Sequence, residues 1–598
     1  MTAGLSNSAS SEPGRLRPTR VTVWGRAMAV VDAIGRRPVL LSLLVAIGAA
    51  AFLWLAIDPL ARPSNDPDST ASVMYFDRIL NGRHLEAFWP TTPKPLLTLL
   101  YGVAWWLTHD WRTLTILTIA AAGLSVGMAA RIAGRFGGAG AAVLIVVGLL
   151  AWPGFRIEVA GANSFIWGLA LWLLFGVLIT ADRPRPWLAG AALALAWLAR
   201  TETIWLVGAA AGVVAFVLVR DWIAERGRPR ADNGTGPHTT RTGRRSALTD
   251  RWSDLRLTLP LLLGGLGLPL ACLHDWLLTG RPLYWLSVPA GYTVEAIPGL
   301  GSVSPFRYLR AEGGHYLPLL PLLVLGAVGI AWLVRSGRRS VAFALAALTG
   351  GVLVTLVVLA WRAIYIDDRY YEEADAPILL AAAIGGGVLL SLVVRRVAEW
   401  SAGRRDSAGA QTNASDSAPP RRTAAWHRPA EAALMAVLAI GVGLAAVPQG
   451  GATASLDTST QLDAALRTVD AQLPSIVRGA TGSTMTEAGI GYPVVDPAAS
   501  RILIPGRLTP RLSIELGVPT TAFGFSRFTF RDADYSAVLH PGQWILHIAA
   551  VDGRGGIFAP FETGAPVTMR GSGGSTVRLV PVVSDPTKGV WLLRIEAA

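Results

Sequence analysis

The chain has 598 residues, of which 52% are hydrophobic and 16% charged, with a mean hydropathy of +0.44 and a formal net charge of +13. That composition excludes an ordinary soluble globular protein, because the apolar residues gather into runs long enough to cross a bilayer. The positive balance does not point to nucleic acid either: the basic residues form short clusters between the apolar runs, as in the cytoplasmic loops of a membrane protein.

Nearly all of these basic residues are arginine, with only Lys94 and Lys588 as lysine. Together with the Ala and Gly content, this reads as a GC-rich genome, that of a high-GC bacterium. The single cysteine, Cys272, lies in an apolar run and can form no intrachain disulfide. No Cys/His cluster has the spacing of a zinc site.

Residues 1–37 are polar and basic, ending in Arg36-Arg37, and are expected to remain cytoplasmic. The first apolar run, 39–57, is long enough to stay as a helix and leads outward. The first outer loop, 58–111, follows. Its stretch 65–97 carries three acids (Asp66, Asp68, Glu86) and Lys94. Val73, Phe76, Ile79 and Leu80 recur at helical spacing with Asp77 and Arg78 on another face, which predicts an amphipathic helix lying at a membrane surface. Residues 94–108 are apolar, but at about 15 residues they fall short of the ~20 that a crossing needs, and they read as a re-entrant or surface helix.

Further spans are expected at 113–130, 139–153, 165–180, 187–199, 204–219, 257–272, 317–334, 342–360, 377–394 and 432–447. With about 11 spans, every strong arginine cluster falls on the cytoplasmic side; counting 94–108 as a span reverses all of them. The polar stretches at about 225–250 and 400–428 have no apolar periodicity and read as disordered cytoplasmic linkers. The transmembrane domain is thus 38–447. From 448 to 598 the composition becomes that of an extracytoplasmic soluble domain, with a helix at 461–476. Short β-like runs at 500–504, 543–549, 577–582 and 590–595 suggest a mostly β domain, read as a β-sandwich.

On this topology four outward loops carry polar residues toward one face. They hold Arg156, Glu158 and Asn163; Arg200-Thr201-Glu202; a loop with His274, Asp275, Arg281, Arg307, Arg310 and His315; and Arg362 with the segment Asp367 to Glu373. Charges at membrane depth are expensive, so their convergence is the signal that any one loop alone lacks.

The order of these motifs resembles that of the GT-C superfamily, integral-membrane glycosyltransferases that take a sugar from a polyprenyl-phosphate donor. The superfamily includes protein mannosyltransferases, aminoarabinose transferases and the arabinosyl- and mannosyltransferases of mycobacterial envelopes. Members carry an acidic pair in the first outer loop, a surface helix ending in a small apolar residue and Gly, and a Pro-rich turn. Asp68, the helix to Leu80-Asn81-Gly82, and Pro93-Lys94-Pro95-Leu96 follow that order. Arg200-Thr201-Glu202 resembles the family's R-P-E turn with Thr201 in place of proline, and Asp368-Arg369-Tyr370 with Pro377 resembles its late R-Y…P segment. The resemblance covers roughly residues 39–395. Two departures are plain: Ser69 stands where the second acid is usual, and the second outer loop offers Glu158 and Asn163 where many members place an Asp. They leave a divalent metal open.

The resemblance implies a GT-C-like arrangement of helices and displacement at an anomeric carbon on the outer face of the plasma membrane. The acceptor would be an envelope glycan, a lipoglycan or a protein. A carboxylate near the acceptor hydroxyl takes its proton, with Asp68 first for this role and Asp66 second. Asp68, followed by Ser-Thr, also has the form of an N-cap. Lys94, Arg369 and Arg362 are candidates to meet the charge growing on the lipid phosphate. Glu86 would orient Lys94 or the acceptor, or is a plain surface charge. Glu158, Asn163, Arg200, Glu202 and His315 are candidate substrate contacts, although Arg200 and Glu202 also suit a structural brace. Two other classes compete: a transporter or flippase for a lipid-linked sugar, against which the nearly charge-free spans speak, and a non-enzymatic envelope scaffold, which leaves the loop constellation without a purpose.

Overall fold

The computed structural model describes residues 38–200 (apart from 62 and 65), 208, 219, 260, 262–296, 304–313, 319–362, 364, 368–409, 451–478, 485–487, 493–495, 500–525 and 539–598. The expected span 432–447, the linker 225–250, Glu202 and His315 lie outside the described residues, as do most of the expected span 204–219 and most of the linker 400–428.

The chain is a polytopic α-helical membrane protein with a C-terminal domain built on a β-sheet. Its helices begin with α1 (Pro38–Ile57), α2 (Pro67–Leu80), α3 (Pro95–Thr108), α4 (Arg112–Ala151), α5 (Pro153–Ala160), α6 (Ser164–Ile179) and α7 (Pro186–Ala199). They continue with α8 (Gly267–Thr279), α9 (Tyr284–Ala296), α10 (Pro305–Gly313), α11 (Leu320–Arg335), α12 (Arg339–Trp361) and α13 (Asp368–Gly409). Among the described residues five helices are long and apolar enough to cross a membrane, or six if the bent pair α5 and α6 counts as one span. Three more apolar helices, α3, α7 and α11, are shorter.

Glycines set how closely these helices pack. In α4, Gly138 takes φ 81° and ψ −176°, a conformation open to a residue without a Cβ. A Cβ on Gly134 would stand 3.3 Å from that of Ala142, whereas an unbroken helix separates such positions by about 12 Å. The 40 residues are therefore a hairpin of two legs, matching the expected spans 113–130 and 139–153. The first leg crosses α1 at a G-x-x-x-G pattern: a Cβ on Gly123 would meet the Ala46 carbonyl oxygen at 2.6 Å, and one on Gly127 that of Ser42 at 2.4 Å. Small residues let backbones meet where lipid supplies no hydrophobic drive.

The bundle has two chemically distinct ends. At one, Arg135 pairs with Asp182 at 2.7 Å, and the Arg338 guanidinium lies 5.0 Å over the Phe136 ring. Three turns expected on one side of the membrane thus come together. At the other end α2, α3 and α5 lie with the loops 58–66 and 161–163. Two features here were not expected: α5 is a helix bent 112° from α6, and α13 continues to Gly409, into the stretch read as linker.

The C-terminal domain opens with α14 (Gly451–Val469) and α15 (Leu473–Val477), then β1 (Met485–Glu487) and β2 (Pro493–Val495), which pair with each other. Strand β3 (Ile502–Ile504) is followed by α16 (Thr509–Leu516), β4 (Phe523–Phe525), β5 (Trp544–Ile548), β6 (Val567–Arg570), β7 (Thr576–Asp585) and β8 (Val590–Ala597). The expected β-sandwich is not what these strands form. They make one mixed six-stranded sheet, order β4-β3-β5-β8-β7-β6, in which β3 runs parallel to both β4 and β5. Parallel neighbours need a crossover, and α16 lies in the one between β3 and β4.

Both faces of the sheet are covered. Ile502, Ile504, Leu546 and Leu592 face Leu466, Leu473 and Leu512 of the helices, while Leu503, Ile545, Trp591 and Leu593 face Phe558 and Phe561. The polar interruption in β5, His547, is accommodated in the second layer. Its ring stacks on Phe558 (4.7 Å) and Trp591 (5.2 Å), and each ring nitrogen is 3.1 Å from a carboxylate, of Asp552 and of Glu562.

The glycine crossing gives a direct test. Gly127→Val forces a side chain into the α1 backbone and is expected to lower stability by about 1–3 kcal/mol. Gly48→Val, where nothing lies within 4 Å of the new Cβ, is expected to leave it nearly unchanged. Thermal unfolding of the two purified variants in detergent compares them, and equal losses would contradict the crossing.

Candidate active site

Two short helices present their N-terminal ends to one another. Helix α2 starts at a proline, which suits the first helical position because its missing N–H had no partner to find. Its N-cap is Asp66: Oδ1 accepts the Asp68 backbone N–H at 2.9 Å, and the Asp66 carbonyl accepts the hydroxyls of Ser69 and Thr70 at 3.0 Å each. The capping part considered for Asp68 is therefore taken by Asp66. Opposite it lies Gly161, where a Cβ would come 3.4 Å from the Asp66 side chain.

With the cap supplied by Asp66, Asp68 turns elsewhere. Lys94 Nζ donates to Asp68 Oδ2 at 2.7 Å, and each side chain is only 4% exposed. Lys94 occupies the N-cap position of α3 without a side-chain capping bond. A cation there faces the positive end of a helix dipole, whereas a carboxylate in the first turn of α2 is favoured by its own. Lys94 is thus in a place that calls for an anion beside it, and Asp68 is that anion.

The walls are tied by hydrogen bonds from distant segments. Tyr75 donates to the Thr91 carbonyl at 2.5 Å, three residues before Lys94. Tyr101 of α3 donates to the Ala162 carbonyl at 2.8 Å and accepts from Trp167 at 2.9 Å. Thr98, one turn after Lys94, is 3.2 Å from His274 Nε2, while Asp275 accepts the Trp285 backbone N–H at 2.7 Å. Ser69, at the position where a second acid was expected, is buried and bonded to Ser64 at 2.7 Å.

Several residues named from sequence have other partners than expected. Glu86 does not meet Lys94; its Oε1 lies 3.0 Å from Arg78 Nε, close enough for an ion pair although the N–H does not point along that line. Its Oε2 accepts from Thr520 at 3.1 Å. Asn163 caps α6, its Oδ1 accepting from the Phe165 backbone at 3.0 Å and, at 3.4 Å, from Arg200. Arg200 does act as a buried brace, but its Nε pairs with Glu373 of α13. Its guanidinium also lies 5.8 Å from the Phe165 ring centre. Glu158 is half-buried on α5. Arg362 is exposed at the C-terminus of α12, and Arg369 lies in the first turn of α13. Among the described residues no three His, Cys, Asp or Glu side chains converge to hold a metal ion.

Residues from the far end of the sequence complete this region. Arg78, at the end of α2 and 4% exposed, donates to Asp77 at 2.8 Å and to Ser513 of α16 at 3.0 Å. Ile514 packs against apolar residues on both sides of the site. Glu515 accepts from Trp111 Nε1 at 2.8 Å and from Arg511 at 2.8 Å, and Arg511 reaches Asp463 at 3.1 Å. Burial alone would push the Asp463 carboxyl up, but Arg467 and Arg511 outweigh it and hold it below the ordinary carboxylate range. The two ties across the domains, Arg78 to Ser513 and Trp111 to Glu515, carry no local sequence signal, since the partners stand hundreds of residues apart.

The arrangement is that of a membrane protein with a buried carboxylate–ammonium pair beneath a sheet-based domain. No family model matches the chain, and no curated protein matches it. Among solved structures it resembles ArnT from Cupriavidus metallidurans in the apo state, at 14% identity and a TM-score of 0.45, with 92% of this chain and 97% of that one covered. It also resembles the oligosaccharyltransferase AglB from Archaeoglobus fulgidus in complex with an inhibitory peptide and a dolichol-phosphate, at 14% identity and 0.42, covering 84% and 69%. A further structure, the Archaeoglobus fulgidus oligosaccharyltransferase in complex with Zn and sulfate, stands at 12% identity and 0.45, covering 84% and 67%.

The buried pair makes a stability prediction. Lys94→Met deprives Asp68 of its countercharge inside the protein and is expected to cost about 3–5 kcal/mol, whereas Asp68→Leu with Lys94→Met together costs less than Lys94→Met alone. Thermal unfolding in detergent reads both. A double variant as unstable as the sum of the single ones would contradict the pairing.

Proposed function

We propose that the protein is a membrane glycosyltransferase that moves a sugar from a polyprenyl-phosphate donor to an acceptor hydroxyl at the outer face of the plasma membrane. The observation that carries this reading is the Asp68–Lys94 ion pair, buried at 4% exposure between two helix N-termini at the end of the bundle that bears the C-terminal domain. A carboxylate and an ammonium are the two groups the reaction asks for, one for a proton and one for a phosphate.

In the resting site Lys94 neutralises Asp68. A donor phosphate beside Lys94 competes for the ammonium, and the Asp68 carboxylate is then released to act as a base. As the acceptor oxygen bonds to the anomeric carbon, Asp68 takes its proton and the bond from that carbon to the phosphate oxygen breaks. The negative charge left on the lipid phosphate is met by Lys94, with Arg362 and Arg369 as further cations on the segment joining α12 to α13. Glu158 on α5, Glu202 and His315 are the further candidates from sequence to contact the acceptor or the sugar. Asp66, Asn163 and Arg200 hold the frame. An envelope glycan, a lipoglycan or a protein each offers the hydroxyl this chemistry needs, and a pentose or a hexose each offers the anomeric carbon.

Asp68→Asn tests the assignment, because the amide keeps the size of the side chain and an oxygen for Lys94 while removing the base. Transfer of labelled sugar from decaprenyl-phosphate donors is expected to fall by about 10²–10⁴-fold, with the protein still folded and inserted. Asp66→Asn, which retains a capping oxygen, is expected to keep most of the activity. Wild-type turnover in Asp68→Asn would remove Asp68 from the role of base.

A further inference from the structure

Helix α2 carries two buried charged residues at opposite ends. Asp68 in its first turn faces Lys94, and Arg78 in its last turn faces the C-terminal domain. Ten residues of helix span about 15 Å, and a helix transmits a displacement along its axis with little loss. Whatever fixes Arg78 therefore also fixes where Asp68 sits.

Arg78 is held through both terminal nitrogens of its guanidinium. It donates to Asp77 Oδ2 at 2.8 Å and to Ser513 Oγ at 3.0 Å, with Glu86 Oε1 3.0 Å from Nε. Ser513 is itself oriented, its hydroxyl donating to the Val518 carbonyl at 2.6 Å. Glu86 is gripped from the same domain by Thr520. Between these polar ties, Ile514 enters the apolar layer that contains Met74 and Tyr75 on one side and Leu97 and Tyr101 on the other. Tyr75 in turn holds the Thr91 carbonyl, three residues before Lys94. One edge of the C-terminal domain thus touches the mounting of both members of the ion pair.

We propose that Arg78 is a positioning residue through which the C-terminal domain, by Ser513 and Ile514, sets the placement of Asp68 against Lys94. The domain is then part of the frame of the active site and not a separate cap over it. Asp77 and Glu86 leave Arg78 with a surplus of local negative charge, so its affinity for Ser513 is a matter of geometry: the planar fork has one edge left over, and only a neutral acceptor in the right place completes it. The catalytic half of this proposal rests on the glycosyltransferase reading; the coupling half does not.

The test uses the full-length protein in lipid nanodiscs, as wild type, Ser513→Ala and Arg78→Ala, with two readouts. Amide hydrogen exchange across residues 67–94 is expected to speed up about tenfold in both variants while α1 and α4 keep their wild-type rates, since a buried donor loses its partner only at the latch. For sugar transfer from decaprenyl-phosphate donors, kcat is expected to fall by about 10–10²-fold with KM for the donor nearly unchanged, the mark of misplaced reacting groups. A loss of stability alone would lower the amount of active protein without that split. Unchanged exchange at 67–94 in both variants overturns the latch whatever the activity, and faster exchange with wild-type kcat overturns the positioning role. If the wild type itself transfers no sugar, the glycosyltransferase reading falls together with the positioning role, and the exchange data still decide the coupling of the two domains.

Discussion

A lysine and an aspartate buried together at 2.7 Å are the constraint around which the end of the bundle bearing the C-terminal domain is built. Removing two charges from water costs several kcal/mol for each, and their attraction repays it only with good geometry and further hydrogen bonds. The chain supplies both. Asp66 takes over the capping of α2 so that Asp68 is available, and the first turn of that helix favours its charge. Lys94 is fixed between Pro93 and Pro95, which leave it few backbone conformations, and Tyr75 anchors the strand of chain leading to it. A pair that merely stabilised the fold would be served as well by two apolar side chains.

The membrane part makes that site possible by being rigid and closely packed. The hairpin at Gly138 and the crossing at Gly123 and Gly127 bring α1 and the two legs of α4 together, so the loops at 58–66 and 161–163 meet. Ser64 then bonds to the Gly161 carbonyl at 2.9 Å, and Tyr101 to that of Ala162. On the far side α13 brings Glu373 to Arg200, which ties the α6 cap at Asn163 to the C-terminal third of the bundle. Each tie joins segments that are remote in sequence, and each is buried, where an unmet polar group is expensive.

Much of this was legible in the sequence, and the misses have physical causes. Apolar runs marked most helices because hydrophobic length is a local property, and the same rule marked α3 as short, whereas α7, expected as a span, is also one of the shorter apolar helices. The helix α2 was visible from Val73, Phe76, Ile79 and Leu80, but its two faces were not, since Leu80 is exposed and Arg78 buried. Which acid caps and which pairs was not, since Asp66 and Asp68 both precede suitable residues and only the backbone turn at Pro67 separates them. Glu86 was read toward Lys94, the acceptor or plain solvent and Arg200 toward Glu202, but their partners, Arg78 with Thr520 and Glu373, lie on other segments that no periodicity connects. The sheet was misread as a sandwich although Ile502-Leu503-Ile504 and Trp591-Leu592-Leu593 are apolar without alternation, the mark of strands covered on both faces.

The central claim is that the buried pair transfers a sugar and does not merely carry or anchor a lipid. The direct measurement is to incubate purified full-length protein, reconstituted in vesicles, with radiolabelled decaprenyl-phosphate sugars and envelope acceptors, and to separate product from donor. Label in the acceptor, with decaprenyl phosphate released in equal amount, is the expected result. Label that stays on the lipid while crossing from one leaflet to the other would contradict it.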